Sequence, residues 1–175
     1  MSSPLPRLTL IIGGARSGKS RFAEGLVTAL PAPWIYVATG EAWDAEMAER
    51  IAEHVRRRGE GWMTRETPLD LGGLLNSHAN DPRPLLVDCL TLWLSNIMHA
   101  GRDIEAEQTR LLDAFAQPGG PVVVVSNEVG LGIVPDNALA RAFRDAQGRL
   151  NAAVAARADR VVLMAAGLPL TLKQG

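Results

Sequence analysis

The sequence predicts an α/β domain in which helices cover both faces of a mostly parallel sheet. Short runs that are apolar throughout alternate with longer amphipathic segments, and such strands are typical of sheets buried on both faces. The last two apolar runs, 160–165 and 168–173, follow each other too closely for a helical crossover. We therefore expect them to form an antiparallel hairpin at the sheet edge. No linker divides the chain, so residues 1–175 are predicted to form one domain.

Six runs are predicted as strands because they are short, apolar and bounded by turn residues. They are LTLII (8–12), WIYVA (34–38), PLLVD (84–88), PVVVVS (121–126), RVVLMA (160–165) and LPLTLK (168–173). A tight turn is expected at Gly167, between the last two.

The longer segments between these runs are predicted as helices. They cover about 19–30, 44–58, 69–76, 90–99, 104–116 and a long segment that begins near 136. Asp44 and Asp136 are the expected N-caps of the second and last helices. The second has Met47, Ile51 and Val55 at helical spacing, and the last has Leu139, Phe143, Ala146, Leu150 and Val154 on one face. The remainder of 59–83 is predicted to be irregular.

Net charge, cysteine content and the lengths of the apolar runs exclude several classes of protein. The formal net charge of −1 provides no global basic field for nucleic acid or anionic membrane, so a phosphate ligand must be captured locally. The single cysteine, Cys89, excludes an internal disulfide framework. The N-terminus lacks the features of a signal peptide, and no apolar run approaches the roughly 20 residues that span a bilayer. We expect a cytoplasmic protein without a membrane span.

The segment GGARSGKS (13–20) matches the phosphate-binding pattern G-x-x-x-x-G-K-[ST], between a predicted strand and a predicted helix. Gly13 and Gly18 allow a tight turn whose N–H groups face phosphate oxygens. Lys19 reaches the β- and γ-phosphates, and the Ser20 hydroxyl binds Mg²⁺. The alternative is a glycine-rich turn that matches by coincidence. The motif predicts a nucleoside triphosphate site but does not define the reaction.

Asp88 ends the apolar run LLVD and is the expected second group on the Mg²⁺ side. The alternative role is an N-cap for the helix at 90–99, a role for which Thr91 also competes.

The segment VSNEVGLGIVP (125–135) places Asn127 and Glu128 just beyond a strand, at the edge where open α/β sheets bind ligands. Gly130 and Gly132 suggest a loop with unusual backbone angles. The alternative is a loop whose polar side chains satisfy its own backbone.

His54, in RIAEHVRRRG (50–59), flanks the apolar stripe of the second predicted helix. A lone histidine there is more often a packed or surface residue than a nucleophile. The arginines at 56–58 are either a solvated helix end, where cations complement the helix dipole, or a phosphate clamp. The residues alone leave both pairs of alternatives open.

Several of these segments together resemble the bifunctional adenosylcobinamide kinase/adenosylcobinamide-phosphate guanylyltransferase family of cobalamin biosynthesis. The matching segments are GGARSGKSRFAE, IYVATGEAWDAEMAERIAEH, the Trp and the Glu of GWMTRETP, VDCLTLWLSN, SNEVGLGIVPDNALARAFRDAQGRLN and the closing GLPLTLK. They cover nearly the whole chain. The segment from Ser126 to Asn151 is the most specific, because a generic P-loop kinase has no reason to carry it.

The resemblance implies a RecA-like P-loop fold, a homotrimer, a corrinoid substrate, and GTP, ATP and Mg²⁺ as nucleotide and metal. It implies that His54 accepts GMP covalently. Lys19, from the phosphate-binding motif, is the other expected catalytic residue. Some members carry a second histidine where this chain has Glu53, so His54 is the only candidate here. The implied metal-side residues are Ser20 and Asp88. The implied nucleotide contacts are Gly13, Gly14, Ala15, Arg16, Ser17, Gly18, Lys19, Ser20, Ala38, Thr39, Gly40, Val55, Arg56, Arg57, Arg58, Glu66 and Asp88.

Two other functions fit parts of the sequence. A P-loop small-molecule kinase without nucleotidyl transfer needs the same motif and leaves His54 without a chemical role. A RecA-like ATPase module that binds nucleic acid needs the same fold, but the net charge and the absence of a basic aromatic stripe disfavour it.

Overall fold

The structure is a computed structural model that describes residues 5–41 and 45–175, without the side chains of Arg50 and Arg57. Its elements, in chain order, are β1 (Leu8–Gly13), α1 (Lys19–Thr28), β2 (Trp34–Ala38), α2 (Ala45–Arg57), β3 (Trp62–Glu66), α3 (Leu71–Ser77), β4 (Leu85–Asp88), α4 (Leu90–His99), α5 (Ile104–Ala114), β5 (Val122–Asn127), α6 (Ala138–Arg157), β6 (Arg160–Ala165) and β7 (Leu168–Gln174).

The seven strands form one sheet in the order β3-β2-β4-β5-β1-β6-β7. Every neighbouring pair is parallel except β6 and β7, which are antiparallel. Ala166 and Gly167 turn the chain between these two strands, both with positive φ, 52° and 78°. The predicted mostly parallel sheet with an antiparallel hairpin at its edge is confirmed.

The two faces of the sheet carry separate apolar layers because successive strand residues point in opposite directions. Leu10, Val87 and Val124 lie in the layer that also contains residues of α3, α4, α5 and α6. Ile11 and Val123 lie in the opposite layer, with Ala23 and Val27 of α1. The apolar runs are therefore strands buried on both faces, as their composition predicts.

Strand β3 was not predicted, because the segment 59–83 was expected to be irregular outside one short helix. WMTRE has two apolar residues followed by three polar ones, and none of the five is fully buried. The strand pairs only with β2, at the sheet edge. An edge strand with one half-covered face lacks the continuous apolar run used to recognise the other parallel strands.

The helices appear where they were predicted, with differences at their ends. The first and fifth end at Thr28 and Ala114, slightly before the expected Leu30 and Ala116, and the short third helix is capped by Asp70. The expected cap Asp44 lies outside the described residues. No helix within the described ranges is long and apolar enough to cross a membrane.

Two predictions for helix α6 were wrong, one on its N-cap and one on its buried face. Its N-cap is Asn137 and not Asp136, since the Asn137 side chain accepts a hydrogen bond from the Ala140 N–H at 2.7 Å. Leu139, expected on the buried face, is 67% exposed, whereas Leu150 and Val154 are buried. The apolar stripe of α6 therefore begins about one turn later than the sequence pattern indicated.

The cap assignment gives a direct stability prediction. Asn137→Ala removes the acceptor for the Ala140 N–H and should lower the free energy of unfolding by about 1 kcal/mol. Asp136→Ala is the matched control and should change it by less than ~0.5 kcal/mol, because a surface residue outside the cap contributes little. Urea denaturation of both variants measures the difference. A larger loss for Asp136→Ala would contradict the observed cap.

Candidate functional site

The strand registers bring the predicted site residues to one edge of the sheet. Ala38 pairs with Glu66 on one side and with Asp88 on the other. Gly13 pairs with Asn127. Each of these residues ends a parallel strand, so the carboxyl ends of the strands form a single row. Open α/β sheets bind ligands at this edge.

The loop after β1 has the close backbone contacts that its glycines predict. A Cβ at Gly13 would lie 2.6 Å from the Met164 carbonyl oxygen, so only glycine fits beside β6. Arg16 and Gly18 have positive φ values of 55° and 90°. Gly18 is also the N-cap of α1, and it supplies no side-chain cap. The first N–H groups of α1 are thus left for an anionic ligand at the positive end of the helix.

Lys19 lies under this loop and is buried. Its Nζ donates to the Gly14 carbonyl at 2.5 Å and to the Ser17 Oγ at 3.4 Å. Burial lowers the pKa of Lys19, an effect opposed by the nearby Cys89 and Asp88. Phosphate oxygens would replace the neutral Gly14 carbonyl with a charged acceptor, which forms stronger hydrogen bonds. The remaining loop residues, Gly14, Ala15 and Arg16, are exposed, and Ser17 and Ser20 are half-buried.

Asp88, at the end of β4, does not cap the following helix. The N-cap of α4 is Cys89, without a side-chain hydrogen bond. The competing Thr91 hydroxyl instead accepts from the Asn127 N–H at 2.8 Å. The Asp88 carboxylate accepts a hydrogen bond from the Tyr36 hydroxyl at 2.9 Å. Burial and the Asp88 charge raise the pKa of Tyr36 well above its usual range, so this hydroxyl is a donor at neutral pH.

The segment after β2 forms hydrogen bonds with the segment that links β4 to α4. The fully buried Thr39 hydroxyl donates to the Cys89 carbonyl at 2.6 Å and accepts from the Cys89 N–H at 2.9 Å. The Thr39 carbonyl accepts from Asn96 Nδ2 at 2.8 Å. The Thr39 side chain therefore joins β2 to the start of α4, so a nucleotide contact here would come from other groups of the Ala38–Gly40 segment.

Helix α2 packs against this edge through the face that carries His54. A Cβ at Gly40 would lie 3.2 Å from Leu92 Cδ1 of α4, which is a tight contact, and 3.7 Å from Ile51 Cδ1, which is an ordinary van der Waals distance, so Ile51 of α2 lies beside Gly40. At the other end of the helix, the Arg58 guanidinium lies 3.3 Å from the centre of the Tyr36 ring. His54 is half-buried and lies between Ile51 and Arg58 on the same helical face.

The arginines after His54 differ in environment. Arg56 is exposed and pairs with Glu49 at 2.8 Å, as expected of a solvated helix surface. Arg58 is half-buried, and its Nη1 is buried without a hydrogen-bond partner among the described residues. An unpaired buried guanidinium nitrogen is costly, and a phosphate oxygen would satisfy it. The Arg57 side chain lies outside the described set. Val55 and Glu66 are exposed.

The loop after β5 is bound to the phosphate-binding loop. The Glu128 N–H donates to the Gly13 carbonyl at 2.9 Å. Glu128 Oε1 accepts from the Gly130 N–H at 2.6 Å, which is the local backbone role foreseen as the alternative. Asn151 Nδ2 donates to the Asn127 carbonyl at 3.0 Å. These contacts support the loop and give no direct sign of ligand binding by either side chain.

Sequence reasoning missed Tyr36 and the polar residues of α6 behind the site. Gln147 and Asn151 are buried and form hydrogen bonds with Ser126 of β5 at 2.9 and 2.6 Å. In the sequence, Tyr36 is one apolar residue of a strand and Gln147 is one polar residue in a helix. Only their spatial partners reveal a role. The other predicted site residues remain predictions for ligand contact, although the fold brings them to one edge.

The donors at this edge fit Mg²⁺ bound together with a nucleotide. No group of three or more His, Cys, Asp and Glu side chains suited to a metal ion occurs in the part of the chain that the structure describes. Mg²⁺ in nucleotide sites commonly uses one or two protein oxygens and completes its shell with phosphates and water. The Asp88 carboxylate and Ser20 hydroxyl are oxygen donors of that kind.

Known proteins with the same fold support the description of the sheet. The structural alignment with a protein of Pyrococcus horikoshii OT3 covers 98% of this chain and 88% of that protein, with a TM-score of 0.59 and 8% identity. An ATPase from a bacterial type III secretion system covers 95% of this chain and 57% of its own, with a TM-score of 0.56 and 12% identity. At these low identities, the likenesses show the fold alone.

Proteins with similar sequences identify the family of this chain, which the structural likenesses do not. The Pseudomonas aeruginosa protein named bifunctional adenosylcobalamin biosynthesis protein CobP is 47% identical over 94% of this chain and 96% of its own length. The Salmonella typhimurium protein named bifunctional adenosylcobalamin biosynthesis protein CobU is 38% identical over 95% of this chain and 99% of its own. Residues 9–172 match the family model described as cobinamide kinase / cobinamide phosphate guanyltransferase. The chain therefore belongs to this family of bifunctional transferases.

Proposed function

We propose that this chain phosphorylates adenosylcobinamide with ATP or GTP and then transfers GMP from GTP to the new phosphate through a covalent GMP–His54 intermediate. The observation that carries the proposal is the placement of His54 on the face of α2 that Ile51 and Arg58 hold against the sheet edge with the phosphate-binding loop. Reliance on nucleoside triphosphates supports a cytoplasmic location.

In the kinase reaction, the hydroxyl of the aminopropanol arm attacks the γ-phosphorus, and the bond to the β-phosphate oxygen breaks. Lys19 and the uncapped N–H groups of α1 neutralise charge on the phosphates. Asp88 and Ser20 would hold Mg²⁺, which when bound screens the β- and γ-phosphate charges. The chain contributes chiefly by positioning and electrostatics, because this transfer needs little covalent help.

In the guanylyl transfer, an unprotonated ring nitrogen of His54 attacks the α-phosphorus of GTP. The bond to the bridging oxygen breaks, and pyrophosphate leaves with the electron pair. A phosphate oxygen of adenosylcobinamide phosphate then attacks the same phosphorus, the P–N bond breaks, and adenosylcobinamide-GDP forms. Neutral imidazole is nucleophilic near pH 7 and is a good leaving group from phosphorus.

Arg58 is the arginine that the structure favours for the phosphates of this step. Its Nη1 is buried and unpaired among the described residues, its guanidinium carbon lies over the Tyr36 ring, and the Tyr36 hydroxyl donates to Asp88. Arg56 already pairs with Glu49 at the surface, where an ion pair is weak and easily exchanged. We therefore assign Arg58 the main cationic role and Arg56 a minor one.

We also propose that the chain assembles as a homotrimer. A closed ring needs two different, complementary patches on each subunit. Two separate apolar patches are exposed: Leu168, Leu170 and Leu172 on the edge strand β7, and Leu131, Ile133 and Val134 in the loop after β5. Leu131 and Ile133 are 87% and 98% exposed, which is unfavourable for an isolated chain. Mutual burial of the two patches supports a cyclic arrangement.

The first prediction concerns the phosphate-binding loop. Lys19→Ala should depress both corrinoid phosphorylation and GMP transfer by at least about a hundredfold, because transition-state charge loses its positioned cation. Arg21→Ala removes the same charge from an exposed position on α1 and is the control. Steady-state rates of each half-reaction measure the effect. A Lys19→Ala protein with an unchanged kinase rate would remove the loop from the mechanism.

The second prediction separates the two half-reactions. His54→Ala and His54→Asn should both abolish acid-labile GMP attachment and pyrophosphate release from GTP, because neither side chain offers a nucleophilic nitrogen. Corrinoid phosphorylation should persist, since that reaction uses a substrate hydroxyl. His99→Ala, at the exposed end of α4, should retain both activities. Equal loss of both activities together with a lower melting temperature would instead indicate a structural role for His54.

The third prediction tests the trimer. Leu170→Lys and Ile133→Lys, made separately, should each convert the assembly to smaller species in sedimentation equilibrium, because each places a charge in one of the two patches. Thr171→Lys, also on exposed β7, is the control for charge alone. Trimers that survive both leucine and isoleucine substitutions would rule out these patches as the interface.

A further inference from the structure

Tyr36 makes contacts that its position in a buried strand does not require. It lies in the middle of β2 and is 4% exposed. Its hydroxyl donates to Asp88 Oδ2 at 2.9 Å, across a separation of 52 residues in the chain. Its ring contacts Arg58 on the face and Trp62 at the edge. A phenylalanine would fill the same space and make the same ring contacts, so the hydroxyl is the group that needs an explanation.

The hydroxyl controls the orientation of the Asp88 carboxylate. Among the described residues, Tyr36 provides the only hydrogen bond to this side chain. The hydroxyl binds Oδ2, and Oδ1 accepts no hydrogen bond from the described residues. Asp88 is also close enough to Lys19 to influence it electrostatically. When a hydrogen bond holds one oxygen of a half-buried carboxylate, the other oxygen also has a defined position. Neighbouring groups commonly orient metal-binding carboxylates in this way.

The ring that carries the hydroxyl is itself held on two sides. The Arg58 guanidinium lies 3.3 Å above its centre, and the Trp62 ring meets it edge-on at a centroid distance of 5.9 Å. Trp62 in turn packs on Trp34 at 5.4 Å. Stacking of this kind adds to the burial energy and restricts the ring. The hydroxyl is therefore presented to Asp88 from a rigid support and not from a mobile side chain.

We propose that Tyr36 is a positioning residue for nucleotide-bound Mg²⁺, acting through Asp88. The inference rests on the proposed placement of Mg²⁺ beside Asp88. It does not involve His54, so it stands or falls separately from the covalent intermediate. A purely structural tyrosine would influence folding and leave the dependence on the metal unchanged.

The test is Tyr36→Phe, which removes the hydroxyl and keeps the ring. Mg²⁺ is titrated into protein with a fluorescent, non-hydrolysable GTP analogue, and nucleotide binding is followed by anisotropy. The Mg²⁺ concentration for half-maximal binding should rise by about tenfold, the loss expected when a charge-assisted hydrogen bond no longer orients the carboxylate. Thr64→Val, which removes a hydroxyl from the exposed part of the neighbouring strand β3, is the control and should not shift the titration. An unchanged titration for a folded Tyr36→Phe protein would overturn the proposal.

Asp88→Asn and the double variant distinguish the possible failures. Asp88→Asn should also raise the required Mg²⁺ concentration, and adding Tyr36→Phe should raise it little further, because the hydroxyl acts through this carboxylate. If Asp88→Asn has no effect, the placement of Mg²⁺ is wrong. If Asp88→Asn shifts the titration and Tyr36→Phe does not, only the role of Tyr36 is wrong. Fully additive shifts would exclude action through Asp88.

Discussion

The parallel register of the central strands is the constraint on which the site depends. Gly13 stands opposite Asn127, and Ala38 stands between Glu66 and Asp88. A one-residue slip of β4 would turn Asp88 to the other face of the sheet, away from Tyr36. The buried apolar residues on both faces of the sheet oppose such a slip, because each side chain of β4 would move from one apolar layer to the opposite one. Core packing thus fixes the geometry of the phosphate-binding edge.

Helix α2 lies on this edge as an additional element, and it carries the group proposed for the second reaction. Ile51 lies beside Gly40, and the Arg58 guanidinium lies over the Tyr36 ring. In the proposed mechanism, one phosphate-binding loop serves two chemistries, with a substrate hydroxyl as nucleophile in the first and an imidazole in the second. The proposed covalent route would divide one displacement into two steps, so the corrinoid and GTP would not have to be bound together.

The sequence predicted the parts of the fold that local chemistry determines. Six apolar runs became strands, and the glycine-rich motif lies between β1 and α1 with the expected close approach at Gly13. Strand β3 was missed because an exposed edge strand has no continuous apolar run. Tyr36 was missed because its partners, Asp88 and Arg58, are distant in the chain. The role proposed for His54 came from family resemblance, since a histidine beside an apolar stripe has no chemical signature of its own.

The proposed covalent bond between His54 and GMP is tested most directly by mapping the adduct on the unmodified protein. The protein is incubated with GTP and Mg²⁺, digested at neutral or alkaline pH and analysed by tandem mass spectrometry. We expect one guanylyl group on the α2 peptide, localised to His54 and lost after mild acid treatment, as is typical of a phosphoramidate. A guanylyl group on another residue, or one that resists acid, would contradict it.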